Sequence, residues 1–408
     1  MKLRIPYSWT TVAITFVFSC LLMGLRFSYG VFFKAFAAEF ALNRAATSGI
    51  FSLYLLLSAV FALVNGWLLD RYGPRVLFTL MALFSGLCFL LTSQTNSLWQ
   101  LFLSYSLLFA IGSGGTIPLI AAVVSRWFGK NRGLAIAIST GGSGLGMLII
   151  PPVAGFLISA ASWRLSSLII GIAVVVILIP LALMLRKEPA AGIAYSAAGA
   201  HDKNEIESKP AHPGIPSDTL TIASALRNRN FWLLFIIWLM YATWVFTITT
   251  HIVPYATDSG IDLVQASTIL SISGIVFIAA RLLCGRIIDV VGIKMPSIIM
   301  AFVGTVCLLL LVWAREPWMF YVLAVGYGIG NGGLGVTILA LPFSAMKSRN
   351  IGAIMGAMET SFTIGAAIGS YLGGAIFDIS GSYAVAFFIG SACLLITVPL
   401  ISVIRENK

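Results

Sequence analysis

The sequence predicts an all-α integral membrane protein in which twelve transmembrane helices form two pseudo-symmetric six-helix bundles. Three observations lead to this fold class: the composition, the length of the apolar runs, and a repeat of short motifs between the two halves. Of 408 residues, 59% are hydrophobic and 10% are charged, whereas soluble domains carry about 25% charged residues. Apolar runs long enough to cross a bilayer recur along the chain. In lipid such runs must be helices, because a helix satisfies its own backbone hydrogen bonds.

The hydropathy pattern predicts the following spans: 7–33, 46–69, 76–94, 98–126, 132–159, 164–186, 229–256, 264–290, 295–313, 317–345, 350–377 and 383–404. Segment 187–226, between spans six and seven, is polar and contains several prolines, which is typical of a linker. We therefore expect an N-terminal bundle over 1–186 and a C-terminal bundle over 227–408. The basic start leads into span one without a convincing cleavage site, so we expect a retained first helix rather than a signal peptide.

The chain has a net charge of +11. The positions of its basic residues fit a membrane topology signal rather than a nucleic-acid-binding surface. Two basic residues fall within spans, Arg26 and Arg281. On one side of the membrane the basic residues are Lys34, Arg44, Arg164 and Arg315. The other Lys and Arg residues lie on the opposite side, which the positive-inside rule assigns to the cytosol. We therefore expect a multi-pass plasma (inner) membrane protein with both termini and the central segment in the cytosol.

The two halves of the chain share short motifs at nearly the same spacing. The sequence GWLLDRYG at 66–73 closes span two, and GRIIDVVG at 285–292 closes span eight. Within span four, IGSGG at 111–115 matches IGNGG at 329–333 in span ten. A duplicated six-helix unit is the signature of a transporter whose binding site lies between two bundles.

The repeated G-x-x-x-D-x-x-G loop, the twelve spans and the long central segment resemble the major facilitator superfamily over nearly the entire chain. The sequence SYGVFFK at 28–34 and the pair Ala280-Arg281 resemble the branch of monocarboxylate transporters and oxalate–formate antiporters, and most closely the bacterial relatives of the proton-coupled lactate carriers. The resemblance implies secondary transport of small carboxylates. An enzyme would need a catalytic constellation, and the single intramembrane histidine without paired acids argues against one. We expect no cofactor and no metal.

Arg281 is the residue around which we expect the substrate site. A fixed charge within a membrane helix is costly and therefore marks a functional candidate. Its guanidinium offers a bidentate fork to a carboxylate. The helical rise of about 1.5 Å per residue places Asn331 and Tyr327 near the same central depth. The resemblance implies that the span-eight arginine anchors the carboxylate, whereas the alternative is an ion pair with Glu359 that only fixes helix packing.

From the N-terminal bundle we expect Tyr29 and Thr116 to contribute to the same site. Arg26 is either a second contact for the anion or a side chain that snorkels to the outer interface. Span eleven contains no lysine or arginine, whereas the oxalate carriers that this chain resembles have a lysine there. That difference favours a monocarboxylate over a dicarboxylate.

Proton coupling requires a group that titrates, and the candidates are Glu359, His251 and Asp258. Each has a structural alternative: a packing contact for Glu359, a hydrogen bond between helices for His251, and a solvated loop acid for Asp258. Animal carriers place an acid one turn before the span-eight arginine, and this chain has Phe277 there. The proton route of the family therefore does not transfer directly.

Four charged residues at the ends of spans two and eight are expected to act as gates rather than as substrate contacts: Asp70, Arg71, Arg286 and Asp289. Salt bridges between such residues close one side of a transporter in one state and break in the other. The alternative is a plain topology signal.

The function that the sequence predicts is proton-coupled symport of small monocarboxylates, such as L-lactate or pyruvate, by alternating access. The partners are the anion, a proton and the lipid bilayer, with no nucleic acid. An exchanger of small carboxylates would use the same site without net proton flow. A drug or sugar facilitator would not depend on Arg281.

Overall fold

The computed structural model describes residues 7–128, 132–186, 227–346 and 351–404. Within these ranges twelve helical spans are long and apolar enough to cross a membrane, and no residue is in a β-strand. The predicted linker 187–226 lies outside the described residues. The all-α fold class predicted from the sequence is confirmed.

The helices of the N-terminal half are Tyr7–Phe27, Tyr29–Glu39, Arg44–Tyr72, Pro74–Thr92, Leu98–Leu101, a π-helical turn Phe102–Leu108, Phe109–Ser113, Thr116–Ser125, Arg132–Ala160 and Trp163–Met184. The helices of the C-terminal half are Arg229–Asp258, Leu263–Val291, Lys294–Leu311, Pro317–Ala345, Ile351–Ser380 and Ala384–Val403. We number the spans as in the sequence, so the first two helices together form span one and the segments from Leu98 to Ser125 form span four.

Two spans of the N-terminal half are interrupted, although the sequence predicted continuous helices. Span one breaks at Ser28, whose hydroxyl donates to the Gly24 carbonyl at 2.8 Å. Span four breaks at Gly114 and Gly115, and Gly115 has a φ of 76° that suits glycine. The Asn65 amide donates to the carbonyls of Ile111 and Gly114 at 3.0 and 2.9 Å. The break in span four is tolerated at membrane depth because the Asn65 side chain satisfies carbonyls at the break.

The matching motif in span ten keeps its helix continuous. A Cβ atom added at Gly332 would lie 2.4 Å from the carbonyl oxygen of Phe277 in span eight. In span ten this glycine therefore permits close packing of two helices instead of a chain break. The same short sequence motif serves two different purposes in the two halves.

The loops that close spans two and eight have the same backbone geometry. Gly73 has φ 85° and ψ 175°, and its N–H donates to the Leu69 carbonyl at 2.9 Å. Gly292 has φ 81° and ψ 175°, and its N–H donates to the Ile288 carbonyl at 3.0 Å. Residues with a side chain rarely adopt a positive φ, so both positions favour glycine. The sequence repeat is therefore also a structural repeat.

Both bundles also contain close approaches between neighbouring spans at which only glycine fits. An added Cβ at Gly146 of span five would lie 2.0 Å from the Cys20 carbonyl oxygen in span one. An added Cβ at Gly369 of span eleven would lie 2.2 Å from the Thr243 carbonyl oxygen in span seven. Small residues at such contacts let helix backbones approach closely in a membrane.

Candidate functional site

A cavity of about 170 Å³ lies at the centre of the molecule, between the two halves. Spans one, four and five line it from the N-terminal half. Spans seven, eight, ten and eleven line it from the C-terminal half. Ligand sites of two-bundle transporters lie at this interface between repeats, so the cavity is the candidate substrate site.

Arg281 of span eight lines this cavity. Among the residues whose side chains the structure describes, it has no hydrogen-bonding or ion-pair partner. Its closest aromatic neighbour is Phe277, with the guanidinium 5.6 Å from the ring centroid. The polar group that acts on it electrostatically is the Tyr241 hydroxyl. The alternative of a structural ion pair between Arg281 and Glu359 is therefore not formed, and the guanidinium fork is open to an anion.

Asn331 also lines the cavity, but its amide is already hydrogen-bonded. Its Oδ1 accepts a hydrogen bond from the Tyr241 hydroxyl at 2.6 Å, and its Nδ2 donates to the Tyr327 hydroxyl at 3.1 Å. Tyr327 is 2% exposed and packs against Trp244, with ring centroids 5.2 Å apart. The structure thus places Tyr327 behind Asn331 rather than in the cavity wall.

Tyr241 is a cavity residue that the sequence analysis missed. It lies on span seven with Trp238 and Val245, and all three line the cavity. Their spacing of three and four residues places them on one helix face. That spacing is the signal that the sequence contained, although span seven is apolar on every face and the stripe does not stand out.

Arg26 and Glu359 line the same cavity from opposite halves of the molecule. The Arg26 guanidinium lies 4.9 Å from the ring centroid of Phe246, and its Nε has no hydrogen-bond partner among the described residues. Arg26 is the positive charge that acts on the Glu359 carboxylate. Of the two interpretations of Arg26, a cavity contact or snorkelling to the interface, the structure therefore favours the cavity contact.

The two residues expected from the N-terminal bundle lie outside the cavity wall. Tyr29 is 1% exposed, donates its hydroxyl hydrogen to the Thr47 carbonyl, and stacks on Phe51 with ring centroids 4.4 Å apart. Thr116 is 1% exposed and donates to the Ser113 carbonyl at 2.6 Å. Both predictions of substrate contacts are corrected here, because each hydroxyl is used within its own bundle.

The family model described as Major Facilitator Superfamily matches residues 14–370. The chain belongs to this superfamily. Monocarboxylate transporter 13 of Bos taurus is 26% identical over 391 residues, covering 95% of this chain and 87% of the relative. Monocarboxylate transporter 11 of Homo sapiens is 23% identical, covering 95% and 81%. The chain is thus similar to monocarboxylate transporters, and its superfamily consists of transporters, not enzymes.

Two solved structures show the same fold at low sequence identity. A bacterial homologue of the human lysosomal transporter Spinster, in an inward-facing and unoccupied conformation, superimposes with a TM-score of 0.70 at 14% identity, covering 98% of this chain and 95% of that one. The nucleoside transporter NupG, solved as a point mutant, gives a TM-score of 0.73 at 14% identity, covering 98% and 100%. These structural similarities show that the chain has the two-bundle fold.

Charged residues join the two bundles at one end of the molecule, which we call the Asp258 end. Asp258 of span seven pairs with Lys34 and with Arg44 of the other bundle, each at 2.6 Å. Asp378 accepts hydrogen bonds from the backbone N–H groups of Arg44 and Ala45 at 2.9 and 2.7 Å. Asp258 is therefore neither a solvated loop acid nor a cavity residue, because it links the two bundles.

His251 lies on span seven about two helical turns before Asp258, outside the central cavity. It is fully buried, and its Nε2 lies 2.8 Å from the Ser370 carbonyl oxygen. Its ring packs between Phe33 and Tyr383, with centroids 5.6 and 5.1 Å away. The bond to Ser370 joins spans seven and eleven, which fits the interpretation of His251 as a packing histidine.

The opposite end of the bundles, which we call the Asp70 end, contains the predicted gate residues. Asp70 pairs with Arg126 of its own bundle at 2.7 Å. The Arg71 guanidinium lies 5.5 Å from the centroid of the Trp67 ring in the same helix. Arg286 has an exposed side chain, and the side chain of Asp289 lies outside the described residues. The gate roles of these four residues stay predictions.

The Asp70 end has no hydrogen bond or ion pair between the bundles among the residues whose side chains are described. Between residues whose side chains are described, the hydrogen bonds and ion pairs that join the bundles lie between the Asp258 end and the middle of the helices. At Gly374, near the Asp258 end, an added Cβ would lie 2.4 Å from the Arg44 carbonyl oxygen, so the two bundles are in close contact there.

Proposed function

We propose that this protein is a secondary active transporter that carries a small monocarboxylate, such as L-lactate or pyruvate, together with a proton. The observation that supports the proposal is Arg281, a guanidinium in the central cavity without an anionic partner among the described residues. A charge at this depth is costly unless it is paired. A carboxylate cargo supplies the missing counter-charge and matches the planar fork with two hydrogen bonds.

The charges of the cavity support a single negative charge on the cargo. Arg26, Arg281 and Glu359 are its charged residues, so the empty cavity has one excess positive charge when Glu359 is ionised. A monocarboxylate that arrives with a proton on Glu359 leaves this excess unchanged. The cavity would then have the same net charge with and without cargo when its access changes from one side of the membrane to the other. Glu359 is accordingly the proton carrier that we propose, whereas His251 and Asp258 lie outside the cavity.

We further propose that the bundles rock between this conformation and one in which the Asp258 end is open. Positive-inside topology places the Asp70 end, both termini and the central segment in the cytosol. The conformation described here would then receive cargo from the cytosol. Opening the other side requires Asp258 to separate from Lys34 and Arg44, as switching salt bridges do in alternating access.

Replacing Asp258 with asparagine should loosen the Asp258 end, because one neutral amide cannot hold both Lys34 and Arg44. The Asp258 side chain is 28% exposed, so we expect a modest effect of about fivefold faster amide exchange in residues 34–47 and 252–260, equivalent to about 1 kcal/mol. Hydrogen–deuterium exchange of the purified protein measures it.

The matched control for Asp258→Asn is Glu39→Gln. Glu39 pairs with Arg164 at 2.8 Å at the same end of the molecule, but both residues belong to the N-terminal bundle. Its loss should leave exchange in residues 252–260 unchanged. Equal effects of the two variants would contradict a specific role of Asp258 in joining the bundles.

The experiment that tests the proposed function is uptake of radiolabelled L-lactate and pyruvate into proteoliposomes with an imposed inward proton gradient. We expect accumulation that needs the gradient and disappears when a protonophore collapses it. Uptake that ignores the gradient but requires a carboxylate inside the vesicles would instead indicate an exchanger. No monocarboxylate uptake with or without the gradient would reject the proposal.

A further inference from the structure

Aromatic side chains make up a third of the residues that line the central cavity. Six aromatic side chains line it: Phe27, Trp238, Tyr241, Phe246, Phe277 and Phe362. Phe362 of span eleven connects three of them, because its ring centroid lies 6.2 Å from that of Trp238 and 6.0 Å from those of Tyr241 and Phe246. Aromatic rings at such distances favour contacts with another ring or with an apolar chain.

The hydroxyl groups that face the cavity donate their hydrogens within the protein. Thr140 donates to the Ile136 carbonyl at 2.8 Å, and Ser143 donates to the Thr140 carbonyl at 2.9 Å. The Tyr241 hydroxyl donates to Asn331 at 2.6 Å. These hydroxyl groups therefore have no free hydrogen to donate to a polar cargo unless one of these bonds is broken, which is unfavourable in a buried site.

The donors that the described residues leave open are few and suit a carboxylate. They are the guanidinium groups of Arg281 and Arg26 and the indole N–H of Trp238, which has no hydrogen-bond partner among those residues. Glu359 acts electrostatically on Arg26 without forming an ion pair with it, so Arg281 is the cation that the cavity itself compensates least. The site therefore offers one strong anchor point and an apolar surround.

The size of the cavity fits one ring. Its volume is about 170 Å³, whereas an apolar protein cavity of about 150 Å³ accommodates benzene. It is smaller than the roughly 300–1,000 Å³ typical of sites for drug-sized ligands. A two- or three-carbon acid would leave much of the aromatic part of the wall without contacts.

We propose that the site prefers monocarboxylates with an apolar body of the size of one ring or a branched chain, over hydroxy acids such as lactate. This inference rests on the proposed function, because the same Arg281 binds the carboxylate in both. The apolar body packs against Phe362 and its aromatic neighbours, which makes Phe362 a residue that determines specificity.

Matched ligands test the preference by isothermal titration calorimetry on the purified full-length protein. Phenylacetate and mandelate differ by one hydroxyl group, and 2-phenylethanol keeps the ring but lacks the carboxylate. We expect phenylacetate to bind about 10-fold more tightly than mandelate and at least about 10-fold more tightly than L-lactate. No binding of 2-phenylethanol is expected, because it has no group for Arg281.

Variants of Phe362 assign the preference to the aromatic wall. Phe362→Ala should weaken phenylacetate binding about 10-fold and L-lactate binding less than about threefold. Phe362→Leu keeps the volume and should give a smaller change in the same direction, which covers the case that the alanine variant fails to fold. Phe156→Ala serves as the control, since Phe156 is 60% exposed and outside the cavity.

The outcomes separate this inference from the proposed function. If mandelate and L-lactate bind as tightly as phenylacetate, or if Phe362→Ala weakens all ligands equally, the preference for an apolar body is wrong. If L-lactate binds in an Arg281-dependent way and phenylacetate does not, only this inference fails. If no monocarboxylate binds, the proposed function fails with it, and if binding survives Arg281→Ala, Arg281 is not the carboxylate anchor.

Discussion

Replacing Arg281 with alanine should lower the affinity for monocarboxylates on the order of 100-fold or more, and uptake should fall accordingly. The expectation follows from the position of Arg281, which lines the central cavity without an anionic partner among the described residues. Truncating one member of a buried, hydrogen-bonded charge pair costs about 2–5 kcal/mol. The cargo carboxylate would be left in an aromatic cavity without its counter-charge.

Arg281→Lys separates the effect of charge from the effect of geometry. Lysine keeps the positive charge but loses the bidentate fork, so we expect an intermediate loss of about 10-fold. Leu282→Ala is the matched control on the same helix, because Leu282 is 66% exposed and does not line the cavity. Titration calorimetry and proteoliposome uptake measure all three variants. A lysine variant as inactive as the alanine variant would point to the fork itself as essential.

In Arg281→Ala, we expect that Arg26 does not bind the cargo carboxylate in place of Arg281, although both guanidinium groups line the cavity. The Glu359 carboxylate of the opposite bundle acts electrostatically on Arg26, although the two form no ion pair, whereas Tyr241 is the group that acts on Arg281. Retained binding in Arg281→Ala would therefore show that the cargo carboxylate has another anchor, with Arg26 the other cation of the cavity wall. The proposed anchor would then be wrong.

The sequence was sufficient to predict the spans and the central position of Arg281. An isolated charge in an apolar helix is visible without any knowledge of packing, and its depth follows from the helical rise. Asn331 was placed in the cavity for the same reason. Tyr29 and Thr116 were misplaced because a residue at the right depth still points into a cavity or away from it, depending on the rotation of its helix.

The contacts at the Asp258 end could not be predicted from local patterns. Lys34 and Asp258 are far apart in the chain, and the sequence assigned Lys34 and Arg44 to topology alone. Their pairing depends on how the two bundles close, which no short motif encodes. The break in span four was missed for a related reason, because Gly114 and Gly115 are followed by the same kind of apolar run as the continuous helix of span ten.

Glu359→Gln should uncouple transport from the proton gradient. Glu359 is the one carboxylate among the residues that line the central cavity, and glutamine keeps its shape but cannot exchange a proton. We expect proton-driven accumulation of monocarboxylate to disappear. Exchange of internal for external substrate in the absence of a gradient should stay within about threefold of the wild type, because Arg281 still binds the carboxylate.

The comparison of accumulation with exchange separates a proton carrier from a packing residue. If Glu359 only fixed helix packing, its loss would lower accumulation and exchange together. Glu39→Gln removes a carboxylate of the same kind from an ion pair outside the cavity, and it should leave both activities unchanged. Accumulation that still follows the proton gradient in Glu359→Gln would exclude Glu359 as the carrier. In that case the next residue to test is His251, a buried imidazole on span seven outside the cavity.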